Sequence, residues 1–315
     1  MLSLAIIGAG IMGANHVRVS SQLRNASVTW VVDDDLERAR SAAAVVGASA
    51  TSSLSDLVGK IDAAVVATPT LTHEQVALTL LEAGIAVMVE KPLAADPVSA
   101  RKLVDAADAN GVVLQVGHVE RFNPAVLELD GIVTEAIHVS VERISPYSPR
   151  ITDGVILDLM IHDLDLVRSI VGSEVASVAA VARSLRSQTE DLASALLTFA
   201  NGATATLTAS RIGQNKIRTL EITQPDGFVT VDLLRQDVTI NRVDHSEYLS
   251  DQGARYRQTG VIEVPFLEHR GEPLFLELTS FVDSVAAGGP PRVSGADGLA
   301  ALELAMRISD AAVRT

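Results

Sequence analysis

The sequence predicts an α/β protein with an N-terminal doubly wound parallel sheet and a C-terminal α+β domain built on a large, mostly antiparallel sheet. From residue 2 to about 118, short apolar runs alternate with helical patterns, which is the mark of repeated βα winding. A glycine-rich loop, Gly8-Ala9-Gly10-Ile11-Met12-Gly13, falls between the first strand and the first helix. Beyond about residue 120 the style changes, and consecutive strand-like runs are joined by hairpin turns.

In the first half, strands are expected at 2–7, 28–33, 62–67, 85–90 and 112–117, and helices at 12–24, 35–47, 72–83 and 97–110. Gly84 and Gly111 stand where helices end in left-handed backbone, and Asp96-Pro97 supplies an N-cap followed by proline at the first helical position. The second half opens with a long apolar helix over 153–171. Strand runs follow at 175–184, 193–200, 203–210, 217–223, 228–234 and 237–243. Asn201-Gly202 and Pro225-Asp226-Gly227 are hairpin signals, so neighbouring runs should pair antiparallel. Two helices, 273–287 and 296–313, close the chain. The expected domains are 1–120 and 121–315, with no internal repeat, low-complexity tract or long linker.

Composition narrows the function. A chain of 315 residues buries roughly three quarters of its unfolded surface and needs no covalent staples. With no cysteine, disulfides, thiolate metal sites and a cysteine nucleophile are excluded, and no metal site is expected from the spacing of His and carboxylates. A net charge of −14 argues against a nucleic-acid partner, because 25 Lys and Arg form no visible basic cluster. No segment approaches the ~20 uninterrupted apolar residues of a membrane span. Residues 1–7 read as a strand already inside the fold, with no basic signal-peptide head. A cytoplasmic enzyme acting on a small molecule fits these bounds.

The glycine loop follows a strand and opens a helix, which makes it a Rossmann dinucleotide fingerprint rather than a chance cluster. Gly8 permits the tight turn, Gly10 lets backbone approach a pyrophosphate, and Gly13 allows helix and strand to pack closely. Asp33, at the end of the second strand, stands where a carboxylate accepts hydrogen bonds from an adenosine ribose. A 2′-phosphate among Asp33, Asp34 and Asp35 with no adjacent arginine would be repelled, so NAD is expected over NADP; Asp35 is better read as a helix cap.

Thr68-Pro69 and Glu90-Lys91-Pro92 end strands, on the carboxyl edge where open α/β sheets bind ligands. A lysine there can donate to a hydroxyl or to a developing oxyanion. On the helix over 153–171, Asp158, His162 and Asp165 recur at i, i+4 and i+7, in one stripe of an otherwise apolar helix. A histidine beside a carboxylate suits a general base that takes the proton of a secondary alcohol as hydride leaves its carbon. The bland alternative is a satisfied buried His–Asp network. Asp163 lies off the stripe and reads as a surface or hinge contact.

Together GAGIMG, ATPTLTH, EKPLA, GHVERFNP and Asp158-x-x-x-His162, in this order over nearly the whole chain, resemble the glucose-fructose oxidoreductase, inositol dehydrogenase and rhizopine-catabolism (Gfo/Idh/MocA) family. The resemblance implies a catalytic set of Lys91, Asp158 and His162, with Lys91 contacting both the nicotinamide ribose and the substrate hydroxyl and His162 shuttling the proton. It implies a homodimer or homotetramer formed through the open sheet face of the second domain. The cofactor-contacting residues expected on this basis are Gly8, Gly10, Ile11, Met12, Gly13, Asp33, Thr68, Pro69, His73, Glu90 and Lys91. The GHVERFNP stretch and the segment around Asp158 look most like the branch that oxidises the 3-hydroxyl of UDP-N-acetylglucosamine or related nucleotide sugars.

Arg121, Asn123, Tyr147 and Arg150, with Lys91, Asp158 and His162, are the expected substrate-binding residues. Arg211, Lys216 and Arg218 offer further cations, and Lys216 with Arg218 suits either a diphosphate or a solvated strand face. His16, His73 and His118 sit beside the motifs, each as a structural residue or a ligand contact. A free sugar or a cyclitol remains an alternative substrate. A nicotinamide-binding sensor without chemistry, and internal oxidation and re-reduction by tightly held NAD, remain alternative functions.

Overall fold

The computed structural model describes residues 1–149, 153–242, 246–250, 253, 255–258 and 260–314. In chain order the first elements are β1 (Leu2–Ile7), α1 (Ile11–Ser20), β2 (Ala26–Val32), α2 (Leu36–Ala44), β3 (Ser49–Thr51), β4 (Ala63–Val66), α3 (His73–Glu82), β5 (Ala86–Glu90), α4 (Pro97–Asn110) and β6 (Leu114–Gly117). There follow α5 (Pro124–Leu127), α6 (Leu129–Ile132), β7 (His138–Pro146), a π-helical turn (Ile156–Met160) and α7 (Ile161–Val171). Next come β8 (Val175–Arg183), β9 (Leu192–Phe199), β10 (Thr204–Gly213), β11 (Ile217–Gln224), β12 (Gly227–Asp232), β13 (Asp237–Arg242), β14 (Ser246–Leu249), β15 (Arg255–Gln258) and β16 (Val261–Glu263). The chain ends with α8 (Pro273–Ala287), α9 (Gly295–Ala311) and β17 (Ala312–Arg314).

The chain divides into two compact units, Met1–Phe122 with Gly271–Glu303, and Asn123–Arg270 with Leu304–Thr315. The expected second domain, 121–315, is therefore not continuous: residues 271–303 return to the first unit. The reason is the apolar stripe of α8. Leu274, Leu278, Phe281 and Val282 join Leu4, Ile6, Val65 and Met88 in one buried cluster, covering the first sheet.

That sheet is parallel throughout, in the order β3-β2-β1-β4-β5-β6, with the reversal of strand order between β1 and β4. Its strands are short apolar runs buried on both faces, as crossover helices require. Local caps set the helix ends. Asp35 accepts from the N–H groups of Glu37 and Arg38, Asp96 accepts from Ser99 N–H at 2.9 Å, and Gly111 closes α4 in left-handed backbone.

The second unit holds a nine-stranded sheet in the order β16-β13-β12-β11-β7-β10-β9-β8-β17. Most pairs are antiparallel, and Pro225-Asp226 joins β11 to β12 as a two-residue hairpin loop. The β7–β10 and β8–β17 pairs are parallel. Strand β7, which periodicity did not reveal, occupies the middle: Val139 and Val141 face inward, and the charged Arg143 that disguises the pattern is itself buried. The helix expected over 153–171 begins instead as a π turn at Ile156–Met160 and becomes α-helical at Ile161.

Candidate active site

At the carboxyl ends of β1, β2 and β4 the first unit carries a groove of about 620 Å³, lined in part by Gly8, Gly10, Ile11, Met12, Asp33, Thr68 and Pro69. Seven of the residues expected from the sequence are thus brought together at the topological switch point, where open α/β sheets bind ligands.

The three glycines do separate work. Gly8 has φ +90, and a Cβ there would stand 2.6 Å from the Ala67 carbonyl oxygen. A Cβ on Gly13 would stand 1.7 Å from the Gly8 carbonyl oxygen, so its hydrogen is what allows α1 to pack on β1. Gly10 has nothing within 4 Å of its missing Cβ and caps α1 without a side-chain bond, so it leaves the helix N-terminus open to the groove, as a pyrophosphate requires.

Asp33 is buried and anchors the loop: Oδ2 accepts from Ala9 N–H at 2.6 Å, and Oδ1 accepts from Asp35 N–H at 2.9 Å. Arg38 Nε and Nη2 donate to the same Oδ1 at 3.0 and 2.7 Å. Burial opposes ionisation, but the Arg38 guanidinium and the N–H groups of Ala9 and Asp35 outweigh it and hold the carboxyl at a pKa of about 2. The expectation that no arginine lies beside these carboxylates is corrected, because one turn of α2 swings Arg38 back onto Asp33 and Asp34 and into the groove wall. Repulsion by three bare carboxylates therefore does not discriminate against a 2′-phosphate here; the Asp33 carboxylate at the end of β2 still suits the NAD ribose.

His73, Glu90, Lys91 and Gly13 do not line the groove. His73 is 1% exposed, with Nδ1 at 2.9 Å from the Pro92 carbonyl oxygen and Nε2 at 2.9 Å from that of Thr68. Burial pushes its pKa down, and a neutral ring carries one N–H, so it donates to one of these carbonyls at a time. It ties the Thr68-Pro69 loop to the turn that follows Lys91. Glu90 is buried beside His16, whose Nε2 lies 2.7 Å from Glu90 Oε1. Burial opposes ionisation of Glu90, yet His16, Lys91 and His73 together hold its carboxyl below the usual range. His16 and His118 are both buried.

Arg121 lies in a 3₁₀ turn and donates Nη2 to the Arg292 carbonyl at 3.3 Å, while Arg292 Nε donates to the Arg121 carbonyl at 3.2 Å. Asn123 corrects an expectation: it is 1% exposed, caps α5 by accepting from Ala125 N–H, and donates Nδ2 to the Leu233 carbonyl. A buried amide committed to a cap and a strand end is structural. Arg150 lies outside the described residues.

In the second unit Asp158 falls in the π turn and His162 in the first turn of α7, both half-buried, while Asp165 is 1% exposed. Asp163 is not a surface residue. It is buried against Arg143, and this pair fixes α7 on β7. Arg211, considered as a substrate cation, is also buried and committed. Its Nε donates to Asp191 Oδ1 at 2.7 Å, its Nη2 to Ser187 and Thr189, and its Nη1 to the Asp153 carbonyl at 2.5 Å.

Glu190 completes that bracket, because its carbonyl accepts from Val155 N–H and its side chain fills the space beside Gly154, where a Cβ would stand 1.9 Å away. Helices begin with unsatisfied N–H groups, and here the 187–191 loop supplies acceptors just ahead of Asp158. Sequence reasoning missed this bracket, since its partners are spread from 153 to 211. Lys216 is exposed in the turn before β11, Arg218 stands opposite Arg143 in the sheet register, and Tyr147 lies under the Arg186 guanidinium, 5.7 Å from the ring centre. Among the described residues no group of three or more His, Cys, Asp or Glu is arranged to hold a metal, and no helix is long and apolar enough to cross a membrane.

Residues 2–118 match the family model described as an oxidoreductase family with an NAD-binding Rossmann fold, and residues 132–229 match the GFO/IDH/MocA C-terminal domain. UDP-N-acetylglucosamine 3-dehydrogenase of Acidithiobacillus ferrooxidans is 32% identical over 305 residues, covering 96% of this chain and 95% of the relative. A solved structure of that enzyme superposes with a TM-score of 0.90 at 30% identity, over 99% of this chain and 97% of the other. Inositol 2-dehydrogenase 1 of Paenarthrobacter aurescens is 36% identical over 191 residues, 56% of each chain.

Proposed function

The chain belongs to the Gfo/Idh/MocA oxidoreductase family, and on that premise we propose that it oxidises a secondary hydroxyl of a nucleotide sugar, of the UDP-N-acetylglucosamine type, with NAD. The observation that carries the substrate reading is similarity over nearly the full length to a UDP-N-acetylglucosamine 3-dehydrogenase, whereas similarity to inositol dehydrogenases spans 56% of the chain.

The first unit binds the dinucleotide: Gly10 admits the pyrophosphate to the N-terminus of α1, and Asp33 accepts from the adenosine ribose. Bound NAD supplies the hydride acceptor. Lys91, Asp158 and His162 serve the substrate. The Lys91 ammonium donates to the hydroxyl oxygen and stabilises the negative charge that develops on it. A ring nitrogen of His162 takes the hydroxyl proton, and Asp158, one helical turn before it, favours the imidazolium that results.

The protein is also proposed to form a homodimer or homotetramer through its second sheet, on which Val181 and Leu196 are about half exposed. Size-exclusion chromatography with light scattering tests this.

Incubating the protein with NAD and UDP-N-acetylglucosamine, myo-inositol or free hexoses, and following NADH by absorbance, tests the reaction. Turnover confined to the nucleotide sugar is expected. Turnover with myo-inositol alone would transfer the reading to a cyclitol dehydrogenase, and no turnover on the whole panel would favour a sensor.

A further inference from the structure

Helix α8 buries an acid where its pattern calls for an apolar residue. Leu274, Glu277, Leu278, Phe281 and Val282 are its buried residues, and Glu277 is 0% exposed. Among the described residues neither Glu277 carboxyl oxygen has a hydrogen-bond partner, and the same is true of His16 Nδ1. An unpartnered buried polar group is costly, so an acid held there calls for a reason.

Its surroundings supply one. The Glu277 carbonyl accepts from Gln115 Nε2 at 3.3 Å, and the same nitrogen lies 3.3 Å from Met88 Sδ. Gln115 and Met88 are register partners on β6 and β5; two residues further, on the same face, Gly117 and Glu90 are partners. A Cβ on Gly117 would stand 3.0 Å from Glu90 Oε2, so the glycine leaves that face clear for the Glu90 carboxylate. Glu277 is thus anchored to the sheet face that presents Glu90, the residue before Lys91.

His16 from α1 meets Glu90 at 2.7 Å, and the titratable groups whose charge acts with that of Glu90 are His16, His73 from α3, Lys91 next in the chain and Glu277 from α8. Burial first, and the Glu90 charge second, push Glu277 well above the usual carboxyl range, while Glu90 is held below it. Two carboxyls driven apart in this way act as one acid and one carboxylate.

We propose that Glu277 is a positioning residue: it stays a neutral carboxylic acid whose O–H serves the Glu90 carboxylate through one water, so that the row His16–Glu90–Glu277 holds the backbone that presents Lys91. The proposal rests on Lys91 being a catalytic residue. A leucine would fill the space but serve nothing; a glutamine amide would still donate.

Two measurements on the full-length protein test it. Infrared spectra at neutral pH are expected to show a protonated-carboxyl band that is lost in both E277Q and E277L; a band unchanged in E277Q overturns the proposal whatever the substrate proves to be. In turnover with NAD and UDP-N-acetylglucosamine, E277L is expected to lose on the order of tenfold in kcat with the KM for NAD unchanged, and E277Q to recover most of it. Wild-type kcat in E277L, or an equal loss in E277Q, overturns it. Absence of turnover in the wild type overturns the substrate reading alone, and the infrared band still decides the state of Glu277.

Discussion

Arg143 and Asp163 meet entirely inside the second unit: Arg143 Nε donates to both Asp163 oxygens at 2.9 Å, Nη2 donates to Oδ1 at 2.6 Å, and each side chain is 2% exposed. Arg143 stands on the middle strand of the sheet and Asp163 beside His162, so the pair fixes the angle at which α7 presents its histidine. Removing one partner takes from the other buried charge the counter-ion it meets at 2.6 Å. R143M and D163L are each expected to cost about 3–5 kcal/mol in denaturant unfolding. The double variant R143M/D163L is expected to regain most of that stability yet turn over more slowly than the wild type, because packing alone does not restore the orientation of His162. A double variant with wild-type kcat would remove the pair from any positioning role.

His162 is expected to matter to the chemical step and little to cofactor binding. H162A should lose roughly 10²–10⁴-fold in kcat, the usual worth of a general base. Its NAD affinity, measured by fluorescence titration, should stay near that of the wild type, since Asp33 and the glycine loop belong to the other unit. Unchanged turnover would unseat the assignment.

The glycine loop separates folding from binding. G13A forces a Cβ to within 1.7 Å of the Gly8 carbonyl oxygen and is expected to lower both thermal stability and NAD affinity. G10A meets nothing within 4 Å, so its melting temperature without ligand should match the wild type while stabilisation by NAD falls.

Acid is expected to weaken the fold through two aspartates whose ordinary pKa is 3.8. In Asp33 burial is outweighed by Arg38 and the loop N–H groups, which bring the pKa to about 2; in Asp191 burial is outweighed by the N–H groups of Arg186 and Leu185 and by Arg211, and its pKa is lowered further. Both bind protons less tightly when folded. Their stabilisation is complete above the unfolded value and is lost as pH falls from about 4 to 2 and below. D191N is expected to be less stable at pH 7, with a shallower loss between pH 4 and 2 in urea unfolding; an acid limb as steep as in the wild type would refute the role of Asp191.

Much of the first unit was readable because its signals are short-range. The βα alternation, the glycine loop, the Asp35 and Asp96 caps and the left-handed Gly84 and Gly111 each depend on a window of a few residues. The hairpin at Pro225-Asp226 was legible for the same reason. Strand β7 was not, because Arg143 breaks its alternation at a buried position, and Asp163, which stabilises that arginine, lies twenty positions away.

The chain's local chemistry therefore decided which segments wind and where the dinucleotide-binding loop would be placed. Folding decided what those segments serve. It sent α8 to the first sheet, turned Arg38 onto Asp33, committed Asn123 and Arg211 to structure, and set Glu277 against the sheet face of Glu90. Helix periodicity and turn chemistry are properties of neighbours in sequence, whereas burial and charge pairing depend on residues that only packing brings within a few ångströms.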